Sequence, residues 1–141
     1  MSPATPQEQL DQFPDDWSVI EELIAFAFSL EGVIEQETRI APAGARALTL
    51  PMPSPADRRA FLVDREFAHV HNPPIGSMHM TLPEPFRTAA IDKAWALRHP
   101  FAIVNPQALD AVFVFAPRDR AELAWAKLLL GISHANARGM L

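Results

Sequence analysis

The sequence predicts an α+β domain, a mostly antiparallel β-sheet with helices packed on one face, in the order α-β-β-β-β-α-β-α. Three observations predict it. Residues 66–82 alternate side-chain character on both sides of a Pro-Pro-Ile-Gly turn, the pattern of a half-buried hairpin. Ala111 to Ala116 is short, continuously apolar and rich in β-formers, as in a strand covered on both faces. Segments with apolar residues at helical spacing begin near Pro14, Pro83 and Pro117.

Residues 1–13, rich in Pro, Gln and acidic side chains, read as a flexible arm, and residues 14–141 as one domain. Pro14-Asp15-Asp16 opens the first helix with an aspartate cap; Trp17, Ile20, Leu23, Ala27 and Leu30 recur at helical spacing, and Gly32 ends it. From Val33 to Ile40, Glu35, Glu37 and Arg39 alternate with Ile34, Gln36, Thr38 and Ile40, predicting a strand with one wet face. Ala41-Pro42-Ala43-Gly44 turns into a second strand, Arg46 to Leu50. Pro51, Pro53 and Pro55 cannot continue it, because each fixes φ and lacks the N–H donor.

The hairpin supplies strands three and four. Pro83-Glu84-Pro85 then starts a helix through about Ala96, with Phe86, Ala89, Ala90, Lys93 and Ala94 in helical rhythm, closed by Arg98-His99-Pro100. After the apolar strand, placed centrally, Pro117-Arg118-Asp119 starts a last helix to about His134. Asp119 and Glu122 stand in capping-box spacing there, and Leu123, Ala124, Leu128 and Ile132 are its candidate core contacts.

Composition excludes several function classes. A chain of 141 residues, 49% hydrophobic, can bury a core, while a net charge of −5 without any basic run argues against nucleic-acid binding. The absence of cysteine excludes disulfides, thiol catalysis, iron–sulfur clusters and cysteine-bound zinc. Neither G-x-G-x-x-G nor G-x-x-x-x-G-K occurs, so dinucleotide and P-loop sites have no support. The longest apolar runs, Leu23 to Leu30 and Ala124 to Ile132, fall short of a bilayer span, and the N-terminus has no secretory pattern. No membrane partner and a cytoplasmic location are therefore expected. Oligomeric state is not readable from periodicity.

The hairpin concentrates the candidate chemistry, with three of the five histidines. With Asn72 to Gly76 as the loop, His71 faces Ser77, His69 faces His79 and Phe67 faces Thr81. Ala68, Val70, Met78, Met80 and Leu82 then form an apolar opposite face, and a one-residue slip would invert both. Opposed Cβ atoms lie about 5 Å apart and same-face neighbours on one strand roughly 7 Å, so the imidazoles can converge on one small ion, anion or substrate. They can equally sit on a solvated face without function. Three neutral imidazoles with an open position suit zinc or iron, although in this register Glu66 points to the other face and no carboxylate joins them. Arg98 and Arg118 are candidate anion-binding groups and Ser77 and Trp95 candidate substrate contacts. Capping and solvation explain Arg118 equally well, and plain packing accounts for Trp95 and Trp125 more simply. His134, near a helix C-terminus, has no assigned chemistry.

Three blocks together, Arg65-Glu66-Phe67-Ala68-His69-Val70-His71 with Ser77-Met78-His79-Met80, then Lys93 to Pro100, then Val114 to Glu122, resemble the luciferase-domain family over roughly residues 60 to 135. Its best-known members, the fungal luciferases, oxidise a hydroxylated styrylpyrone with molecular oxygen, releasing carbon dioxide and light. They carry an N-terminal membrane segment that these 141 residues do not contain, and the chain looks more like the short bacterial members. The resemblance implies a small soluble oxidoreductase acting on a hydroxypyrone- or phenol-like compound, with that small molecule and oxygen as partners. No cofactor is implied; zinc or iron on His69, His71 and His79 is the alternative.

A histidine among His69, His71, His79 and His99 would take the hydroxyl proton, giving an enolate that passes an electron to oxygen. A second, protonated histidine or an arginine would stabilise the enolate and the peroxide. From a different class, a non-catalytic ligand-binding or interaction domain could share the fold. The family's Gly-Trp-Gly reads Ala94-Trp95-Ala96 here. Alanine tolerates positive φ poorly, so glycines serving a left-handed turn would require this loop to run differently. Glycines inside a helix would instead be replaced with a gain of roughly 0.5–1 kcal/mol per site.

Overall fold

The hairpin forms in the predicted register, and the sheet is built outward from it. In a computed structural model, which describes residues 14, 16–38, 40–99 and 109–141, Ala68 opposes Met80, His69 opposes His79 and Val70 opposes Met78. The predicted arm, Asp15, Arg39 and Pro100 lie outside the described residues. Strands β1 (Ile34–Gln36), β2 (Arg46–Thr49), β3 (Glu66–Val70), β4 (Met78–Thr81), β5 (Ala96–Arg98) and β6 (Ala111–Val114) form one sheet in the order β1-β2-β3-β4-β6-β5. Every neighbouring pair is antiparallel. The helices of the described residues are α1 (Ser18–Ser29), α2 (Phe86–Asp92) and α3 (Arg120–Ala137). The α+β class holds, with β5 added to the predicted order.

Alternation decides which face meets the helices. Ala68, Val70, Met78 and Met80 join Leu48, Ala96, Val112 and Val114 in one buried cluster with Ile20, Leu23 and Ala27 of α1 and Leu123, Ala126 and Leu130 of α3. Each fully buried large aliphatic side chain there contributes about 1.5–3 kcal/mol. The hairpin loop rests on α1 at Gly76, whose φ is +76° and where a Cβ would stand 2.9 Å from Ile20 Cδ1. Glycine satisfies the backbone angle and the close approach at once.

An aspartate carboxylate meets the first turn of both long helices, from the N-cap in α3 and from the residue before the N-cap Trp17 in α1. The Asp16 carboxylate accepts from Ser18 N at 2.9 Å, and that of Asp119 from Glu122 N at 2.9 Å. The buried apolar residues of α3 are Leu123, Ala126, Leu129, Leu130 and Ala137; of the expected stripe Leu123 is buried and Ile132 partly so, whereas Ala124 and Leu128 are exposed. The apolar residues of this helix extend beyond one face, so their spacing alone did not select the stripe.

Two departures from the predicted strand pattern bear on function. Leu48 opposes Ala68 but Thr49 opposes Glu66, so Phe67 is the extra residue of a β-bulge. Phe67 therefore enters the helix-side core, its ring 5.8 Å from that of His134, and does not lie on the histidine face opposite Thr81. The second departure follows α2, which ends at Asp92 instead of running to Ala96. Ala94 adopts φ +60°, Trp95 N donates back to Ala90 O at 3.0 Å, and Ala96 enters β5. The loop thus keeps a left-handed turn although alanine occupies it, at roughly 1–2 kcal/mol.

An ion-pair network holds the far ends of β4 and β6. Asp110 pairs with Arg59 at 2.5 Å and with Arg87, its carbonyl accepts from Leu82 N, and Thr81 Oγ1 donates to Ala60 O at 2.8 Å. Beside it, His99 N donates to Ala111 O at 3.2 Å and so extends the β5–β6 ladder. No helix among the described residues is long and apolar enough to cross a membrane.

Candidate functional site

The face opposite the helices gathers four imidazoles. His69 and His71 come from β3 and its end, His79 from β4, and His99 from the residue after β5. Ring centroids lie 4.9 Å apart for His69 and His79, 4.8 Å for His71 and His79, and 4.4 Å for His79 and His99. The strands put them there because His69 and His79 are direct cross-strand partners and His71 follows two residues on. Phe113, the β6 partner of His79, closes one side with its ring 5.5 Å away.

This face is not a solvated one. His69 is 0% exposed, His71 1%, His79 2% and His99 5%, so each imidazole has lost its water and must be satisfied by the protein or by a ligand. His69 Nδ1 meets Glu66 Oε2 at 2.8 Å, and the same oxygen accepts from Thr38 Oγ1 at 3.3 Å. His71 Nδ1 meets Ser77 Oγ at 2.9 Å. A carboxylate only accepts, so His69 donates from Nδ1 to Glu66. Nε2 of His69, of His71 and of His79 are all buried without a hydrogen-bond partner among the described residues.

Electrostatics keep His71, His79 and His99 short of protons. Burial pushes His71 from its ordinary 6.5 down to about 3, repulsion from His69 adds to this, and a backbone hydrogen bond to Ser77 opposes it. Burial, then repulsion from His69, takes His99 to about 4. Burial, then the imidazoles of His69, His71 and His99, holds His79 well below its ordinary value. At neutral pH these three rings are neutral and offer lone pairs, and the same burial makes each a weak base.

The other residues singled out in the sequence divide. Ser77 joins the site through His71. Trp95 and Arg118 do not: they line a separate cleft of about 430 Å³ with Lys93, Pro117 and Glu122, and no histidine lines it. Trp95 stacks on Trp125 at 5.0 Å, and exposed Arg118 pairs with Glu122 at 2.7 Å. Arg98 is exposed and alternates away from His99 along the edge strand. His134 Nε2 meets the carbonyl of Glu31 at 2.8 Å and serves packing between elements.

Glu66 and Phe113 are the residues that sequence reading did not place here. No glycine, proline or other local signal marks the bulge that turns Glu66 toward His69, and Phe113 reaches His79 only through strand pairing.

An antiparallel α+β sheet with helices on one face and a buried histidine cluster on the other defines the class of this protein. The chain belongs to the luciferase-domain family: the family model described as Luciferase domain matches residues 64–133, a span that includes all four histidines and Glu66. No curated protein and no solved structure matches the chain.

Proposed function

We propose that this chain catalyses the oxygen-dependent oxidation of a small ring compound carrying an acidic hydroxyl, of the hydroxypyrone or phenol type, at the four-histidine face. The observation that carries this reading is the cluster itself: four buried imidazoles, with His69, His71 and His79 in mutual ring contact and His99 against His79. An imidazole of the cluster takes the hydroxyl proton. The resulting enolate gives an electron to molecular oxygen, and the two radicals combine to a peroxide anion. Membership of the luciferase-domain family supports the reaction class.

Both anions need positive charge nearby. The two arginines considered for that role, Arg98 and Arg118, stand away from this face. A second proton on the cluster is opposed by burial and by the neighbouring imidazoles.

The test is oxygen consumption by the purified chain against a panel of hydroxypyrones and phenols, beside His79→Ala with its fold checked by circular dichroism. Uptake that depends on His79 is expected. A panel without uptake, or uptake unchanged in the variant, would leave a ligand-binding domain as the better description.

A further inference from the structure

We propose that His69, His71 and His79 form a three-nitrogen site for a divalent first-row transition metal, with Glu66 and Ser77 orienting two of the rings through Nδ1. One ring nitrogen of each histidine lies within 4.8 Å of those of the other two, on side chains that are all buried. Their Nε2 atoms find no partner among the described residues. A buried polar atom left unsatisfied costs about 1–3 kcal/mol, and with the ring protons on the Nδ1 side, where His69 donates to Glu66, one cation satisfies all three Nε2 lone pairs at once.

The supporting contacts are those of a metal site. A ligating histidine almost always gives its other ring N–H to a carboxylate, a backbone carbonyl or water, which orients the ring and strengthens the lone pair aimed at the ion. His69 has Glu66 in that position at 2.8 Å and His71 has Ser77 at 2.9 Å. Imidazole nitrogen selects zinc, iron and their neighbours over calcium and magnesium, which require oxygen ligands. Metal–nitrogen bonds of about 2.0–2.1 Å put ligand nitrogens about 3.3 Å apart, so the ion would draw the three rings inward from their present spacing.

Three neutral ligands leave the full charge of the ion unneutralised and at least one coordination position open. That charge lies where an enolate or a peroxide needs it and where neither Arg98 nor Arg118 supplies it. The catalytic meaning of the ion rests on the oxidation reading above; its binding stands on the geometry alone.

The experiment uses the untagged full chain, stripped with a chelator and titrated with Co²⁺, whose visible absorption reports imidazole coordination, followed by Zn²⁺ as competitor. Saturation at about one equivalent per chain is expected, with displacement by Zn²⁺ and loss of the band in His79→Ala. X-ray absorption at the zinc edge of the wild-type protein should count three imidazoles, a measurement that needs no variant to fold. Overturning results are non-saturating binding, a band retained in folded His79→Ala, or fewer than three imidazoles at the zinc. Cobalt binding without oxygen uptake keeps the metal site and removes the oxidase reading. Uptake by metal-free protein that binds no cobalt does the reverse.

Discussion

His69 Nδ1 and Glu66 Oε2 meet at 2.8 Å, although residues three apart on a regular strand face opposite sides of a sheet. The bulge at Phe67 makes this pair possible, because the extra residue flips the alternation between Glu66 and Ala68. A core side chain and a site carboxylate are therefore set by one backbone irregularity.

Glu66→Gln tests the carboxylate. The amide can donate as well as accept, so the tautomer of His69 is no longer dictated. Metal affinity in the cobalt titration should fall about 10- to 100-fold while circular dichroism stays unchanged. An unchanged affinity would make Glu66 a structural partner of Thr38 and nothing more.

Phe67→Ala tests the other side of the bulge. The ring is fully buried against the helix side, and its removal should lower unfolding free energy by about 3–5 kcal/mol in urea titrations. A loss below about 1 kcal/mol would place the ring outside the core.

Ala94 holds φ +60° in a turn that glycine adopts freely. Ala94→Gly should raise stability by about 1 kcal/mol, the relief of the left-handed penalty less the added entropy of the unfolded chain. Differential scanning calorimetry should record a Tm increase of about 3 °C.

The metal-free protein should be sensitive to acid. His71, His79 and His99 have folded-state pKa values below the ordinary 6.5, with His71 near 3 and His99 near 4. The unfolded chain therefore binds protons first as pH falls. Above about 6.5 these groups contribute no pH dependence; from there down toward pH 3 stability declines, by about 1.4 kcal/mol per pH unit for each group that the unfolded state protonates alone. Urea midpoints measured between pH 8 and pH 4 check this. A flat profile across that window would contradict the neutral, buried state of these three rings.

Arg118→Ala and Arg98→Ala should change oxygen uptake by less than about twofold, because neither side chain belongs to the histidine face. Progress curves against the same substrate panel decide it. A large fall in either variant would link the second cleft to the reaction.

The amino-acid sequence by itself determined whatever depends on near neighbours. The α+β class, the register that sets His69 against His79, the His71–Ser77 pairing and the aspartate at the start of each long helix follow from alternation, a short loop and local hydrogen bonds. Tertiary structure decided the rest. Strand β5 exists because β6 offers its free edge to Ala96–Arg98, and the rhythm of α2 contains no sign of that pairing. Burial of the histidine face, the bulge that brings in Glu66, and the placement of Arg118 beside Trp95 in another cleft depend on residues distant in the chain. Alternation assigns a side chain to a face, but what covers that face, and where a strand takes an extra residue, is settled only when the partner elements pack.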